Sequence, residues 1–430
     1  MIEKLKSVTL AVMICLSLVL SYLLAYSYPQ LEPLAQEKYV KADPVGTQAV
    51  LEDLLFPDQM VLHLGEQVHT VLYPSTRSFN SILDTVKQRY IEGFRKINTA
   101  TAVLPVTWDE IRDKQQGVEL RFRDGVPFNV LQRVMQIKGE LPIDNDVVTR
   151  IWIYTKETKD DVRTFFFTDS PGVAYEAIKA DFTVKDIEKF VQLGADQTPY
   201  TPGPGESYLP TKPLTMPAYK VNFSLMTADQ LKRSFFVDPA ITRNLTERDG
   251  SEIYTDGKRG LQLKNDQHWM AYSDPVAPVE TKQPEIRENL LAAIQFVNQH
   301  GGWNGQYVVN KVPQRMATTS QSFVFRQYFE SLPVINERQE NIGFIKIVLQ
   351  KGVVSSFERS VIVPENRTLS AKDTQIAGGE ALGQKLAQYE KRSSVVAIYP
   401  AYKPVTDELT LELVPAWAVE LRDGSYEFLE

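Results

Sequence analysis

The chain has 430 residues, 43% hydrophobic and 23% charged, an ordinary globular balance that excludes a disordered polyelectrolyte. Its formal net charge is −7 with both signs interspersed, so nothing favours nucleic acid or an anionic lipid surface as a partner. The sole cysteine, Cys15, excludes disulfides and thiolate metal sites from everything downstream.

From Ser7 to Tyr28 there are 22 residues without a charge. As a helix this run spans about 33 Å, enough to cross a hydrocarbon core of roughly 30 Å. Lys4 and Lys6 precede it and no basic residue follows until Lys38. That asymmetry predicts a cytoplasmic tip at 1–6, one transmembrane helix at 7–28 and an extracytoplasmic remainder at the cell membrane. Ala25-Tyr26-Ser27 offers a rival reading as a signal-peptide cleavage site. The run exceeds the roughly 7–15 apolar residues of such a segment, which favours a retained signal-anchor. Within the span, Ser17, Ser21 and Ala25 recur every four residues and form a small-residue face against which a partner helix can pack.

Residues 29–46, with Pro29, Pro33 and Pro44, read as an extended stalk. A first domain is expected over 47–198. It opens with a short helix at 47–56 and a hairpin of 60–64 with 67–73 about Gly65. A long amphipathic helix is predicted to follow. Phe79, Ile82, Leu83, Val86, Tyr90, Ile91 and Phe94 share one face at 3.6 spacing, with Ser78 as N-cap. Thr107 caps a second helix, Val118–Phe122 is a strand, and Val147–Tyr154 with Val162–Phe167 forms a hairpin. A helix over 184–193 closes the domain.

Six prolines between Pro199 and Pro217, with Gly203 and Gly205, predict a linker over 199–217. A middle domain (218–368) and a C-terminal domain (369–430) follow. Helices are expected at 227–235, 286–298 and 372–389. Strands are expected at 253–255, 260–264, 268–272, 322–329, 343–350, 353–363, 394–401, 409–413, 416–421 and 425–429. Helix followed by antiparallel strands occurs twice, so the last two domains read as related. The fold class is α+β: one membrane helix, then three extracytoplasmic domains of helices on antiparallel sheets.

The search for chemistry yields no catalytic, cofactor-binding or metal-binding set. His63 and His69 fall on adjacent predicted strands and can approach each other, but no third ligand is near them in sequence. His268 and His300 stand alone. Asp144-Asn145-Asp146 lacks the glycine and glutamate of a calcium loop. Asp160-Asp161 falls in a hairpin turn, where charges are solvated. Arg-Asp-Gly at 123–125, 248–250 and 422–424 reads as turn chemistry. No enzyme is expected.

Three segments carry a resemblance. They are Tyr73-Pro74-Ser75-Thr76-Arg77-Ser78-Phe79-Asn80 before a helix, the strand Arg150-Ile151-Trp152-Ile153-Tyr154, and the ending Leu413-Val414-Pro415-Ala416-Trp417-Ala418-Val419-Glu420-Leu421. Joined to a basic tip, one span and a cysteine-free body, they resemble the YycH family. These are membrane-anchored accessory regulators of the WalK (YycG) sensor histidine kinase in low-GC Gram-positive bacteria. The resemblance implies three extracytoplasmic domains, the latter two like each other and like the companion YycI. It implies a membrane complex with YycI and the kinase that sets cell-wall metabolism, with contact through the span and the ectodomain. The Pro415-Ala416-Trp417 strand and its Asp423-Gly424 turn also look like the end of PepSY-type domains. The alternative is a wall polysaccharide- or propeptide-binding module, with aromatics around Tyr200 and Tyr208 stacking on sugars.

Overall fold

The computed structural model describes residues 2–26, 46–99, 107–139, 146–156, 161–205, 207–264, 268–275, 285–313, 320–337 and 341–429. The expected stalk therefore lies outside the described residues except for Gly46. The fold is α+β, three sheets with helices laid on them.

The first sheet has ten strands. Its order is Tyr208–Pro210, Tyr200–Pro202, Val68–Leu72, Gln59–Gly65, Gln116–Pro127, Val147–Thr155, Val162–Thr168, Val173–Ala180, Tyr90–Asn98 and Gln136–Lys138. Only the last of these pairings is parallel. Period-2 alternation sorts its two faces. Ile151 and Ile153 enter a core with Phe79, Ile82, Val86 and Phe190. Trp152 and Tyr154 face the other way and pack with Phe165, Phe167 and the helix Trp108–Lys114. Thr107, Thr183 and Thr227 each form a capping box with the acid or amide three residues on. Such a cap is worth about 1 kcal/mol.

The second sheet has nine strands and runs from the edge strand Arg243–Thr246 to Gln306–Lys311, with Ile286–Gln299 across one face. The third sheet joins distant parts of the chain. Its order is Ile362–Ile376, Leu214–Leu225, Thr410–Leu421 and Val395–Thr406, with Tyr426–Phe428 on the Thr410–Leu421 strand. The chain thus lays one strand of the third sheet, builds the second, and returns.

Shared cores bind the sheets together. Leu54 and Phe56 belong to the same cluster as Trp303 and Tyr328, and Val61, Tyr200 and Tyr208 to the same cluster as Trp417 and Val419. Thr47 and Trp303 exchange two backbone hydrogen bonds of 2.9 Å, so the first described residues of the body are pinned to the second unit. Gly302, at φ +70°, permits this: a Cβ there would sit 2.8 Å from the Gly46 carbonyl.

Several expectations are corrected. The amphipathic helix runs only from Arg77 to Gln88 and is capped by Thr76, whose Oγ1 accepts from Phe79 N at 3.4 Å, rather than by Ser78. Tyr90, Ile91 and Phe94 lie in a strand, Tyr90–Asn98. Ile91 is buried in this strand, and pairing with Val173–Ala180 outweighs the helical spacing. The stretch 199–217 carries two short strands and the start of a third. The helix expected over 372–389 begins only at Gly379, because the preceding strand continues to Ile376. Gly378 marks the change: a Cβ there would meet the Lys212 carbonyl at 2.0 Å.

Candidate functional site

The amino-terminal helix, Ile2–Tyr26, carries the predicted partner residues. Its described side chains are Lys6, Leu10 and residues 12–22, and all are exposed. Ser17 and Ser21 are among them and fall one turn apart, about 6 Å along the axis. The side chain of Ala25 lies outside the described residues. Leu10, Val12, Met13, Ile14, Leu16, Leu18, Val19, Leu20 and Tyr22 are each more than half exposed. Among the described residues no helix is long and apolar enough to cross a membrane.

The body holds its charges in the opposite way. His63 and His69 face each other across the Gln59–Gly65/Val68–Leu72 hairpin, as cross-strand partners. Their Nδ1 atoms are 2.9 Å apart. His63 Nε2 is 3.1 Å from Glu119 Oε1, and both side chains are fully buried. Arg121 donates to Glu119 Oε2 from Nε at 2.9 Å and Nη2 at 2.6 Å. Arg112 and Arg150 stand 3.6 and 3.9 Å from the same carboxylate. Arg121 also lies over the Tyr208 ring.

Burial alone would raise the Glu119 carboxyl, yet Arg121, Arg150 and His63 hold it well below the usual range. Burial lowers His63, and burial plus neighbouring His63 and Arg112 bring His69 down to about 4. Both rings are therefore neutral at pH 7. Which of the two Nδ1 atoms donates depends on the tautomers, and His63 Nε2 and Glu119 Oε1, though 3.1 Å apart, do not meet in hydrogen-bond geometry. No group of three or more His, Cys, Asp or Glu fit to hold a metal occurs among the described residues. His300 is sealed in a helix end, hydrogen-bonded to Phe296 O at 2.8 Å and lowered by burial to about 4.

A second charged cluster lies where the three sheets meet. The strand Gln116–Pro127 shifts register between Arg121 and Val126, and Gly125 takes φ +74°. The bulge carries Arg123 and Asp124 out of the ladder. Arg123 N donates to Asp58 Oδ2 at 2.7 Å. Its guanidinium is 3.9 Å from both Asp58 and Glu420 and 3.4 Å from the Tyr399 ring centre. Asn310 donates to Asp124 at 2.7 Å, and the Tyr328 hydroxyl to Asp58 at 3.0 Å. The second sheet and its loops thus supply Asn310 and Tyr328, and the third Tyr399 and Glu420. Burial, with Glu420 nearby, pushes Asp124 up to about 6. Burial opposes the Arg123 cation, but Tyr399, Asp58 and Glu420 hold its pKa well above the usual value.

Sequence reasoning placed His63 beside His69 but missed Glu119, Arg121, Arg123 and Asp124. The signal was present for the first pair: in Val118-Glu119-Leu120-Arg121-Phe122 period 2 sends both charges to one face, opposite three apolar residues. Arg123-Asp124 was hidden by a turn-like tripeptide that is a bulge in mid-strand. Tyr200 and Tyr208 are buried, at 4% and 5% exposure, so neither offers a face to a sugar. Asp144, Asn145 and Asp160 lie outside the described residues. Asp146 accepts from the Tyr175 hydroxyl, and Asp161 pairs with Lys156 in its turn.

Comparison with known proteins gives consistent matches. The models for the YycH protein N-terminal and C-terminal domains match residues 3–193 and 205–428. The two-component system WalR/WalK regulatory protein YycH of Bacillus subtilis (strain 168) is 19% identical over 325 residues, covering 72% of this chain and 70% of that protein. The crystal structure of YycH from Bacillus subtilis superposes with a TM-score of 0.72 at 17% identity, covering 90% of this chain and 98% of that one.

Proposed function

Because this chain belongs to the YycH family, we propose that it is a non-enzymatic regulator of a WalK-type (YycG-type) sensor histidine kinase that controls cell-wall metabolism. It acts in a membrane complex with a YycI-like partner. The amino-terminal helix crosses the cell membrane once, with the tip cytoplasmic and the body extracytoplasmic. Recognition runs through the helix, on the face of Ser17, Ser21 and Ala25, and through the body.

The observation that carries the reading is the exposure of the amino-terminal helix. Soluble monomers seldom expose contiguous apolar patches beyond a few hundred Å². A helix with nine apolar or aromatic side chains more than half exposed needs lipid or another helix around it. Small residues every four positions let a second backbone approach closely, and serine can hydrogen-bond across. The mechanism is population shift: helix and body bind one kinase conformation better than the other, and only that difference changes activity. His63, His69 and His300 are buried out of reach of a substrate in solvent, which supports binding over chemistry.

Membrane co-purification with the kinase and the YycI-like partner tests this. It compares the full chain, residues 30–430 alone, and a Ser17→Leu/Ser21→Leu/Ala25→Leu variant. The variant is expected to stay in the membrane and lose the kinase. Co-purification of none of the three forms would remove the regulator reading and favour a wall-binding module.

A further inference from the structure

Arg243–Thr246 is the edge strand of the second sheet, and its four side chains are all exposed. It pairs antiparallel with Glu252–Thr255 in the register Arg243↔Thr255, Asn244↔Tyr254, Leu245↔Ile253 and Thr246↔Glu252. Glu247 N donates to Ser251 O at 2.8 Å where the ladder enters its turn. Bonded and non-bonded pairs alternate along an antiparallel ladder. Arg243, Leu245 and Glu247 therefore turn their backbone groups inward, toward Glu252–Thr255. Asn244 and Thr246 turn theirs outward, and no backbone partner for them occurs among the described residues.

The two faces of this sheet differ. Tyr254, Leu261, Tyr272 and Phe357 form one row across it and pack in the core beneath the helices Ala228–Phe235 and Ile286–Gln299. Period 2 puts Leu245 on the other face, beside the half-buried Ile253. There Leu245 is 56% exposed. The edge pairing runs without a bulge, and 243–247 holds no proline. Bulges and prolines are common ways of keeping an edge from pairing with another chain.

Self-complementarity selects the occupant. A two-fold axis sets the strand antiparallel to its own copy and keeps each face on one side. With Leu245 on the axis, the two Leu245 side chains meet in a close, non-bonded pair. Asn244 and Thr246 then exchange hydrogen bonds with the second copy's Thr246 and Asn244, so every outward backbone group is used. Arg243 falls opposite Glu247 on both sides of the axis. Either neighbouring register sets Leu245 opposite a charge, Arg243 or Glu247. The formal charge over 241–249 is zero, Arg243 and Arg248 against Glu247 and Asp249, so no net repulsion opposes the pairing. Glu252 lies on the opposite face and accepts from the Tyr254 hydroxyl, and Lys264 lies over Trp269 two strands in. We propose that residues 243–247 form a homodimer seam, in which the open edge of the second sheet takes the same strand of a second copy of this chain, in the register centred on Leu245. One short strand buries less than the roughly 1,200 Å² of a stable interface, so the pairing is weak in free solution. Holding two copies in one membrane raises their effective concentration. The seam belongs to the body, and only this concentrating effect rests on the amino-terminal helix being an anchor.

The experiment is disulfide cross-linking of the full chain in lipid vesicles, with Cys15→Ser removing the native thiol. Flotation with the vesicles reports the anchor independently of the cross-link. Leu245→Cys is expected to give a linked dimer on mild oxidation. Non-bonded antiparallel partners hold their Cα atoms about 4.5 Å apart, within the roughly 4.4–6.8 Å that a disulfide spans. Val353→Cys, exposed on another hairpin of the same sheet, is the collision control, and Leu245→Cys should exceed its yield about tenfold. Arg243→Cys and Glu247→Cys should each link poorly alone and well when mixed, since the register sets them opposite each other. Arg243→Glu added to Leu245→Cys should cut the yield about fivefold, and Glu247→Arg added to both should restore it. Three results overturn the proposal. They are a Leu245→Cys yield no higher than the control, a mixture that links no better than its two components, and a cross-link that disappears when the YycI-like partner is added to the vesicles. The last would make that partner the occupant of the edge.

Discussion

In the amino-terminal helix the apolar side chains point outward; at the junctions of the body the charged ones point inward. Leu10, Leu18 and Met13 are 64%, 65% and 61% exposed, while Glu119 and His63 are 0% exposed. Each region inverts the usual sorting of residues, for a different physical reason. An exposed apolar helix is stable only where its surroundings are themselves apolar, so it points to a lipid or helix partner. A buried charge is tolerated only where its counter-charges and hydrogen bonds are fixed, so it holds one arrangement of the surrounding elements. The junctions tie the three sheets to one another through Arg123, Asp58, Glu420 and Asn310.

The strongest test of that contrast is to break the buried carboxylate. Glu119→Leu leaves Arg121 in the interior without its counter-charge. The expected loss is about 3–5 kcal/mol, read from urea unfolding of the body. A change within the error of the extrapolation would mean that water reaches the cluster.

Acidification comes next. The folded pKa of His69, about 4, lies below its ordinary 6.5. The unfolded chain therefore binds the proton first, and stability present above pH 6.5 is lost as pH falls toward 4. His63 adds in the same direction. The expected loss is about 2–3 kcal/mol, and His69→Gln should flatten the slope. Asp124 works against it. Its folded pKa, about 6, lies above the ordinary 3.8, so its contribution is full below 3.8 and lost as pH rises through 6. Asp124→Asn should raise stability at pH 7.5 by about 1 kcal/mol and steepen the acid loss. Unfolding midpoints across pH 4–8 check both signs.

The smallest effect on the body is expected from the helix. Ser17→Leu with Ser21→Leu should leave the unfolding midpoint of the body within about 0.5 kcal/mol of the parent, since neither side chain is buried. A larger shift would mean that the helix packs on the body.

The two regions also differed in how much of them could be read from the chain. The uncharged run from Ser7 is local information, and a helix, Ile2–Tyr26, does cover most of it. Hairpins such as Val147–Thr155 with Val162–Thr168 were equally local, because alternation and a polar turn suffice. The junctions are not local. Arg123 meets Glu420 across nearly three hundred positions, and no periodicity links them. The third sheet escaped for the same reason: Leu214–Leu225 pairs with Ile362–Ile376 and Thr410–Leu421, strands from the other end of the chain. Even so, His63 and His69, which adjacent strands allowed to approach each other, do pair across the hairpin.

The most direct test of the regulatory reading is kinase autophosphorylation in nanodiscs that hold the kinase and the YycI-like partner. The full chain, the Ser17→Leu/Ser21→Leu/Ala25→Leu variant and residues 46–430 are added in turn. The full chain is expected to change the rate, the variant to lose most of that change, and the isolated body to have little effect. An isolated body as effective as the full chain would contradict recognition through the helix.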